Sequence, residues 1–320
     1  MIFPILNGVL SFSRAPVTWA IFFLNFFVFI NTYNASDKTQ SKIENLVKDE
    51  VFGRTQGFVF AKFISNNQNR YPANLQNLAK QSLLFFDGEK RHLLGSLAMR
   101  DSFFLQNASK IENKFFGDQV AFQWWQENFS ELISLREMHP SYSLGITKQE
   151  SGFERLITYQ FTHSGFSHFA GNMIFFLLFA SSLEVLIGGL GVLCTYLFAG
   201  AAAAIAFSFL SEASAIPLIG ASGAVSGIMA LFCVLLWNKK VRYIYFLMVP
   251  KRGYAGFISL PAWITLILWF FSDLAGHWAT PPELGGVAYS AHMGGELCGI
   301  ILGLCILLAA RTKFTKSLAK

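Results

Sequence analysis

The feature that most constrains this chain is the length of its uncharged apolar runs. Val185 to Ser211 and Ala213 to Asn238 contain no charged residue, and between Arg14 and Asp37 lie 22 more residues without a charge. A helix needs about 20 apolar residues to cross a hydrocarbon core, because each residue advances it by only about 1.5 Å. Runs of comparable character cover 166–187, 190–210, 221–237, 256–274 and 290–309. With the first segment, which includes TWAIFFLNFFVFI and reads as a retained helix rather than a cleaved signal peptide, they predict six spans. A composition of 53% hydrophobic and 14% charged residues fits a bilayer protein and excludes an ordinary soluble enzyme. Glu184 and Glu296 are acidic residues inside these runs, and each requires a structural reason.

Charge is concentrated elsewhere. From Asp37 to Arg155 there are 15 Lys/Arg and 14 Asp/Glu, with Asn/Gln-rich stretches such as SNNQNRYPANLQN. Apolar residues at helical spacing in IENLVKDEVFGRTQGFVFAKFI and FQWWQENFSELISL predict a helical, water-soluble insertion. The expected organisation is therefore an N-terminal tail and first span over 1–33 and an insertion over 34–155. Spans two to six would follow over 156–310, and a basic tail over 311–320. Lys239, Lys240, Arg242, Lys251 and Arg252 separate the fourth and fifth spans, whereas 211–219 and 276–289 contain no Lys or Arg. Positive-inside then puts both termini in the cytoplasm and the insertion outside, since long loops translocate regardless of charge. The basic residues beside apolar helices lack the pattern of a nucleic-acid surface. Cys194, Cys233, Cys298 and Cys305 all lie in apolar runs with no metal or disulfide spacing. No nucleotide loop, metal motif or cofactor site is present in the sequence, so an ATP-independent chemistry without cofactor is expected.

In this topology the second, fourth and sixth spans all run from outside to inside, and three polar groups sit at their starts. In GASGAVSG (220–227), Gly220 and Gly223 flank Ser222 and strip the backbone around its hydroxyl. A helix starting there presents free N–H groups to developing negative charge. The bland reading is a packing seam, because Gly223 and Gly227 also form GxxxG. In AHMGGELCGIILG (291–303), Gly295, Gly299 and Gly303 recur every four residues behind His292. If the two glycine ridges pack, Ser222 and His292 meet, and a serine hydroxyl needs such a base to become a nucleophile. In THSGFSHFAGNM (162–173), His168 and Asn172 share a helical face as two donors and suit an oxyanion.

Together, HxxxN at His168–Asn172, GxSG at Gly220–Gly223 and AHxxGxxxG at Ala291–Gly299 resemble the rhomboid family of intramembrane serine proteases. The resemblance covers 144–310, including the PAW at Pro261, and more weakly 1–33. It implies an all-α polytopic membrane protein, a rhomboid-like six-helix transmembrane bundle with a helical extracytoplasmic insertion. It also implies a multi-pass protein of the bacterial inner-membrane type, with its active site opening to the extracytoplasmic side. Ser222 would attack the scissile carbonyl and His292 would act as base and then acid, a Ser/His dyad without a catalytic acid. His168, Asn172 and the Ser222 N–H would bind the oxyanion, with Gly220, Gly223, Gly295 and Gly299 shaping and packing the site. Implied partners are single-span membrane protein substrates and membrane lipid, with no nucleic acid or nucleotide. Glu184 matches an acidic family position that bonds a neighbouring loop, and His163 a structural histidine. Two features depart from the family pattern: the enlarged insertion, and Glu296, one turn below His292, which either orients or tunes that ring through hydrogen bonding, directly or through water, or is a protonated or hydrogen-bonded glutamate facing another helix. A six-span transporter and a catalytically silent relative that binds clients are the competing readings.

Overall fold

The computed structural model describes residues 2–5, 12–85, 87–147, 152–210, 215–246, 255–279 and 286–318. Lys251 and Arg252, used above to assign topology, lie outside them. Twelve helices are described: α1 (Pro16–Lys48), α2 (Glu50–Asn66), α3 (Ala73–Leu84), α4 (Gly88–Ala98), α5 (Ser102–Asn107), α6 (Gln119–Met138), α7 (Pro140–Leu144), α8 (Arg155–Thr158), α9 (Phe166–Leu210), α10 (Ser222–Leu235), α11 (Ala262–Ala279) and α12 (Tyr289–Leu318). The all-α class expected from the sequence holds. A small antiparallel sheet, ordered β1 (Ile2–Ile5), β2 (Lys240–Phe246), β3 (Ala255–Pro261), adds to it.

Among the described residues three helical stretches are long and apolar enough to cross a membrane: Pro16–Lys48, Phe166–Leu210 and Tyr289–Arg311. The second is two rods, because Gly188 breaks it with φ 78° and ψ 164°, a conformation open to glycine. The rings of Phe176 and Tyr196 lie 5.5 Å apart, although 20 residues of straight helix would separate them by about 30 Å. The chain therefore folds back at Gly188. The two halves of α9, with α1, α10, α11 and α12, make six apolar segments. Their shared core is Phe176, Phe179, Tyr196, Ile228 and Phe232, with α10 at its centre. On α12, Leu297, Ile301, Leu304 and Leu308 are exposed on the face away from the glycines, where lipid replaces protein as the apolar neighbour.

The start of α1 explains Glu184. Pro16 occupies the first turn, where its missing N–H costs nothing. The Glu184 carboxylate, 6% exposed, accepts from the Val17 N–H at 2.9 Å and from the Thr18 N–H and hydroxyl at 2.7 Å each. A negative side chain thus satisfies amides the helix leaves open and meets the positive end of its dipole. The sequence placed a hydrogen-bonding role here toward a loop, and the partner is this helix terminus.

The insertion has its own core of Phe52, Phe60, Ile64, Leu94, Phe104 and Trp125. Its aspartates start its helices: Asp49, Asp87, Asp101 and Asp118 accept from the N–H groups of Phe52, Lys90, Phe104 and Val120. The Trp125 indole donates to the buried Gln56 at 2.6 Å. The span helix α1 does not stop at the apolar boundary but continues to Lys48 into this layer.

Two sets of contacts tie the insertion to the bundle. Arg136 on α6 donates to the Met99 carbonyl at 2.7 Å and to the Ala215 carbonyl at 3.0 Å. The Ala215 N–H in turn donates to the Arg100 carbonyl at 3.0 Å. Ile146 and Leu218 exchange both backbone hydrogen bonds, at 3.0 and 2.8 Å. Both anchor points precede the GASG turn. At the opposite end of α10, β1 pairs with β2 and β2 with β3. The N-terminal strand and the basic connection after α10 therefore share one face of the bundle. The helix of the fifth apolar run begins at Ala262, because the run's first residues extend the sheet as β3.

Glu184→Ala removes the acceptor for three bonds and leaves buried amides unpaired. We expect it to destabilise the fold by about 3 kcal/mol, read as a lower thermal unfolding midpoint in detergent. In the insertion, His139 is buried and its Nδ1 accepts from the Ser141 N–H at 3.1 Å. Burial holds its pKa below the ordinary value of 6.5. The unfolded chain therefore takes up a proton at His139 as pH falls through about 6.5, while the folded chain resists it. His139 thus contributes stability that is complete above that pH and declines below it. The unfolding midpoint should drop between pH 7.5 and 5.5, and by less in His139→Asn.

Candidate active site

Glycine decides how closely α10 and α12 approach. A methyl group on Gly295 would overlap the carbonyl oxygen of Gly223, and one on Gly299 would overlap that of Gly227. A methyl on Gly227 would stand 2.8 Å from the Gly295 carbonyl oxygen, closer than side-chain carbons come. The two ridges read from the sequence therefore pack backbone against backbone. Ala203 and Ala199, from the second half of α9, close the other side of Gly223 and Gly227.

This contact fixes the neighbours of Ser222. Gly220 has φ +106°, in the left-handed region, so the turn into α10 requires glycine. Its N–H donates to the Tyr159 carbonyl at 2.9 Å, and the Ala221 N–H points at His163 Nε2 across a long 3.5 Å. His163 thus supports the turn and also packs edge-on against the His168 ring at 5.2 Å, in the structural role expected of it. The first hydrogen bond entering α10 runs from the Val225 N–H to the Ala221 carbonyl. The amides of Ser222 and Gly223 precede it, at the helix start where no intrahelical acceptor exists.

His168 and Asn172 lie against the same turn. A methyl group on Gly220 would stand 2.7 Å from His168 Nε2 and 3.3 Å from Asn172 Nδ2, so a side chain there would displace both. His168 Nδ1 is 3.2 Å from the Ser164 hydroxyl. Asn172 is buried, and its Nδ2 has no hydrogen-bond partner. An unpaired buried amide donor is costly unless a ligand or water completes it. Ser222, His292, His168, Asn172 and Glu296 all line one cavity of about 1180 Å³. Phe175, Val225, Met229 and Trp269 supply apolar wall to the same space. Among the described residues no hydrogen bond joins Ser222 to His292.

Two acidic groups share this cavity, and the sequence reading weighed only one. Glu296 is 3% exposed and its Oε2 has no hydrogen-bond partner. Asp273 on α11 lies against the histidine as well, its Oδ1 and Oδ2 both 3.3 Å from His292 Nδ1. The available signal for Asp273 was a lone carboxylate near the end of the fifth apolar run. Among the described residues no group of His, Cys, Asp and Glu could hold a metal ion.

Six apolar segments enclosing a polar cavity define a polytopic α-helical membrane protein. The model of the rhomboid domain family matches residues 150–309, half of the chain, and the chain belongs to that family. Among curated proteins, Rhomboid protein 1, mitochondrial, of Saccharomyces cerevisiae is 27% identical over 147 residues, which are 45% of this chain and 39% of that protein. The chain thus matches well under two thirds of that relative's length. No solved structure matches it.

If the glycine contact sets the site, Gly295→Ala must push α12 off α10, since the obstacle is a backbone oxygen with no rotamer to change. We expect a loss of about 1–3 kcal/mol of stability. In the fraction that remains folded, measured by gel filtration and thermal unfolding, we expect loss of reaction of Ser222 with a fluorophosphonate.

Proposed function

We propose that this protein is an intramembrane serine endopeptidase, cleaving peptide bonds in or beside the transmembrane segments of membrane proteins, with Ser222 as nucleophile and His292 as base. The observation that carries the reading is the unpaired Asn172 amide beside His168 and the Gly220 turn, in one cavity with the serine and the histidine. The Asn172 side chain, without a hydrogen-bond partner, lies with His168 against the turn from which α10 starts, and the first amides of that helix have no intrahelical acceptor. A packing seam has no need of them, and a transporter gives no reason for glycine on both sides of one serine.

In the reaction, His292 takes the proton of the Ser222 hydroxyl as Oγ bonds to the scissile carbonyl carbon. The carbonyl π electrons move to oxygen, and the resulting oxyanion is held by His168, Asn172 and the Ser222 N–H. His292 then returns the proton to the leaving amine, and water repeats the cycle on the acyl-enzyme. The substrates are membrane proteins with one span and small residues at the cut, because a peptide bond within a helix is shielded by its own side chains and hydrogen bonds. Their access is from the extracytoplasmic side, with both termini of the enzyme cytoplasmic.

The test is a fluorophosphonate probe combined with cleavage of a single-span reporter by purified protein in lipid. Wild type should label and cleave, and Ser222→Ala should do neither while retaining its unfolding midpoint. A folded wild type that fails to label, or a Ser222→Ala variant that still cleaves, rejects the assignment.

A further inference from the structure

A buried polar atom without a partner is costly unless a ligand completes it. Glu296 holds such an atom in the candidate site. It is 3% exposed, its Oε2 has no hydrogen-bond partner, and it lines the cavity that also holds Ser222 and His292. We propose that Glu296 is a specificity-determining residue, the base of a subsite that takes a primary amide side chain of the substrate, a glutamine, from a residue near the cut. The proposal rests on the protease reading of the same cavity.

Three observations support the assignment. The first is depth. Glu296 follows His292 on α12 as Ser226 follows Ser222 on α10, and four residues of helix advance about 6 Å. Both line the cavity, which therefore continues past the reacting groups into a second layer. The second is the chemistry of that layer. Phe175, Val225, Met229 and Trp269 give it apolar walls, and Glu296 and Ser226 give it polar groups. A side chain with an aliphatic stem and a polar tip fits both. The third is what the protein itself supplies. Among the described residues no Lys or Arg lines this cavity, so no cation of the chain's own stands in it beside Glu296.

The tip is an amide for two reasons. A carboxyl group accepts from an amide NH2 whether or not it carries a proton, and the Ser226 hydroxyl can donate to the amide oxygen, so every polar group of the pair is answered. A lysine would also reach Glu296, but a charge is expensive within the span of a membrane substrate, and an amide carries none. Reach selects glutamine, whose stem is long enough to pass the Ser222 layer. Methionine is as long and as unbranched, but it leaves Oε2 unpaired. The small residue at the cut answers a different need, close approach to Ser222, so the amide belongs to a neighbouring residue.

The experiment uses the full chain in lipid nanodiscs and single-span reporters in which each residue flanking the cut, out to four on either side, is replaced singly by Gln, Met or Lys. Within each protein, kcat/KM for the Gln reporter is divided by that for the Met reporter. At one position wild type should favour Gln by about tenfold or more, with Lys no better than Met. In Glu296→Leu that ratio should fall to within about twofold of one, and Glu296→Gln, which keeps an acceptor, should lie between. A glutamate that only oriented His292 would change all reporters alike and leave the ratio where it was. Unfolding midpoints identify variants that fold, and Glu296→Met takes the place of Glu296→Leu if the latter does not. The proposal is overturned if no position gives wild type a ratio above about threefold, the result for an oxygen served by solvent alone. It is also overturned if the ratio survives in folded Glu296→Leu, or if Lys is the favoured reporter. Binding of fluorescent copies of the same reporters to Ser222→Ala, with and without Glu296→Leu, is the second readout. If wild type neither labels with fluorophosphonate nor cleaves, the protease reading fails, and a Glu296-dependent preference for Gln over Met in binding alone then accepts or rejects the subsite.

Discussion

Everything distinctive about this molecule depends on two helices meeting at their backbones. In a bilayer the apolar side chains of a helix gain little by leaving lipid for protein, so close van der Waals contact has to supply the specificity that the hydrophobic effect supplies in water. Gly223 and Gly227 facing Gly295 and Gly299 provide that contact. The consequence reaches past stability. With no side chain between them, α10 and α12 are fixed in rotation as well as distance, and the residues just ahead of each ridge, Ser222 and His292, come to line one cavity. The exposed leucines and isoleucine on the far side of α12 show the same division in reverse, bulky where the neighbour is lipid and bare where it is protein.

Most of this could be read from the sequence because it is written in periodicities. Uncharged runs announce helices, and a four-residue glycine spacing announces a close face. GASG, AHMGG and HxxxN become a constellation once the spans are given directions. What could not be read depends on partners from elsewhere in the chain. Asp273 and Glu296 look alike along the sequence, and Glu296 looked better placed because it shares a helix face with His292. Which carboxylate reaches Nδ1 is settled by how α11 packs, and no local pattern encodes that. The small sheet escaped for a related reason. KVRYIYF and AGFISLP alternate over a few residues, but their basic and apolar character was already accounted for by topology and a span.

Glu184 shows how a residue's role can be right in kind and still incomplete. An acid in an apolar run had to be hydrogen-bonded, and it is. Its partners are the first amides of α1, so the bond joins the start of the first span to the end of the first rod of α9. The reversal at Gly188 follows within four residues, and the cap and the turn together fix how the chain doubles back.

The grip of the insertion on Ala215 carries a consequence for how the two parts of the chain depend on each other. Arg136 and Arg100 hold that residue from both of its peptide groups, and Ile146 pairs with Leu218 two residues before Gly220. The strand of chain leading into the serine turn is thus held by the insertion, which has a core of its own. A site enclosed by apolar helices takes part of its alignment from a second, separate core. The packing of the insertion and the geometry of the buried site are in this sense coupled, through the few residues from Ala215 to Gly220.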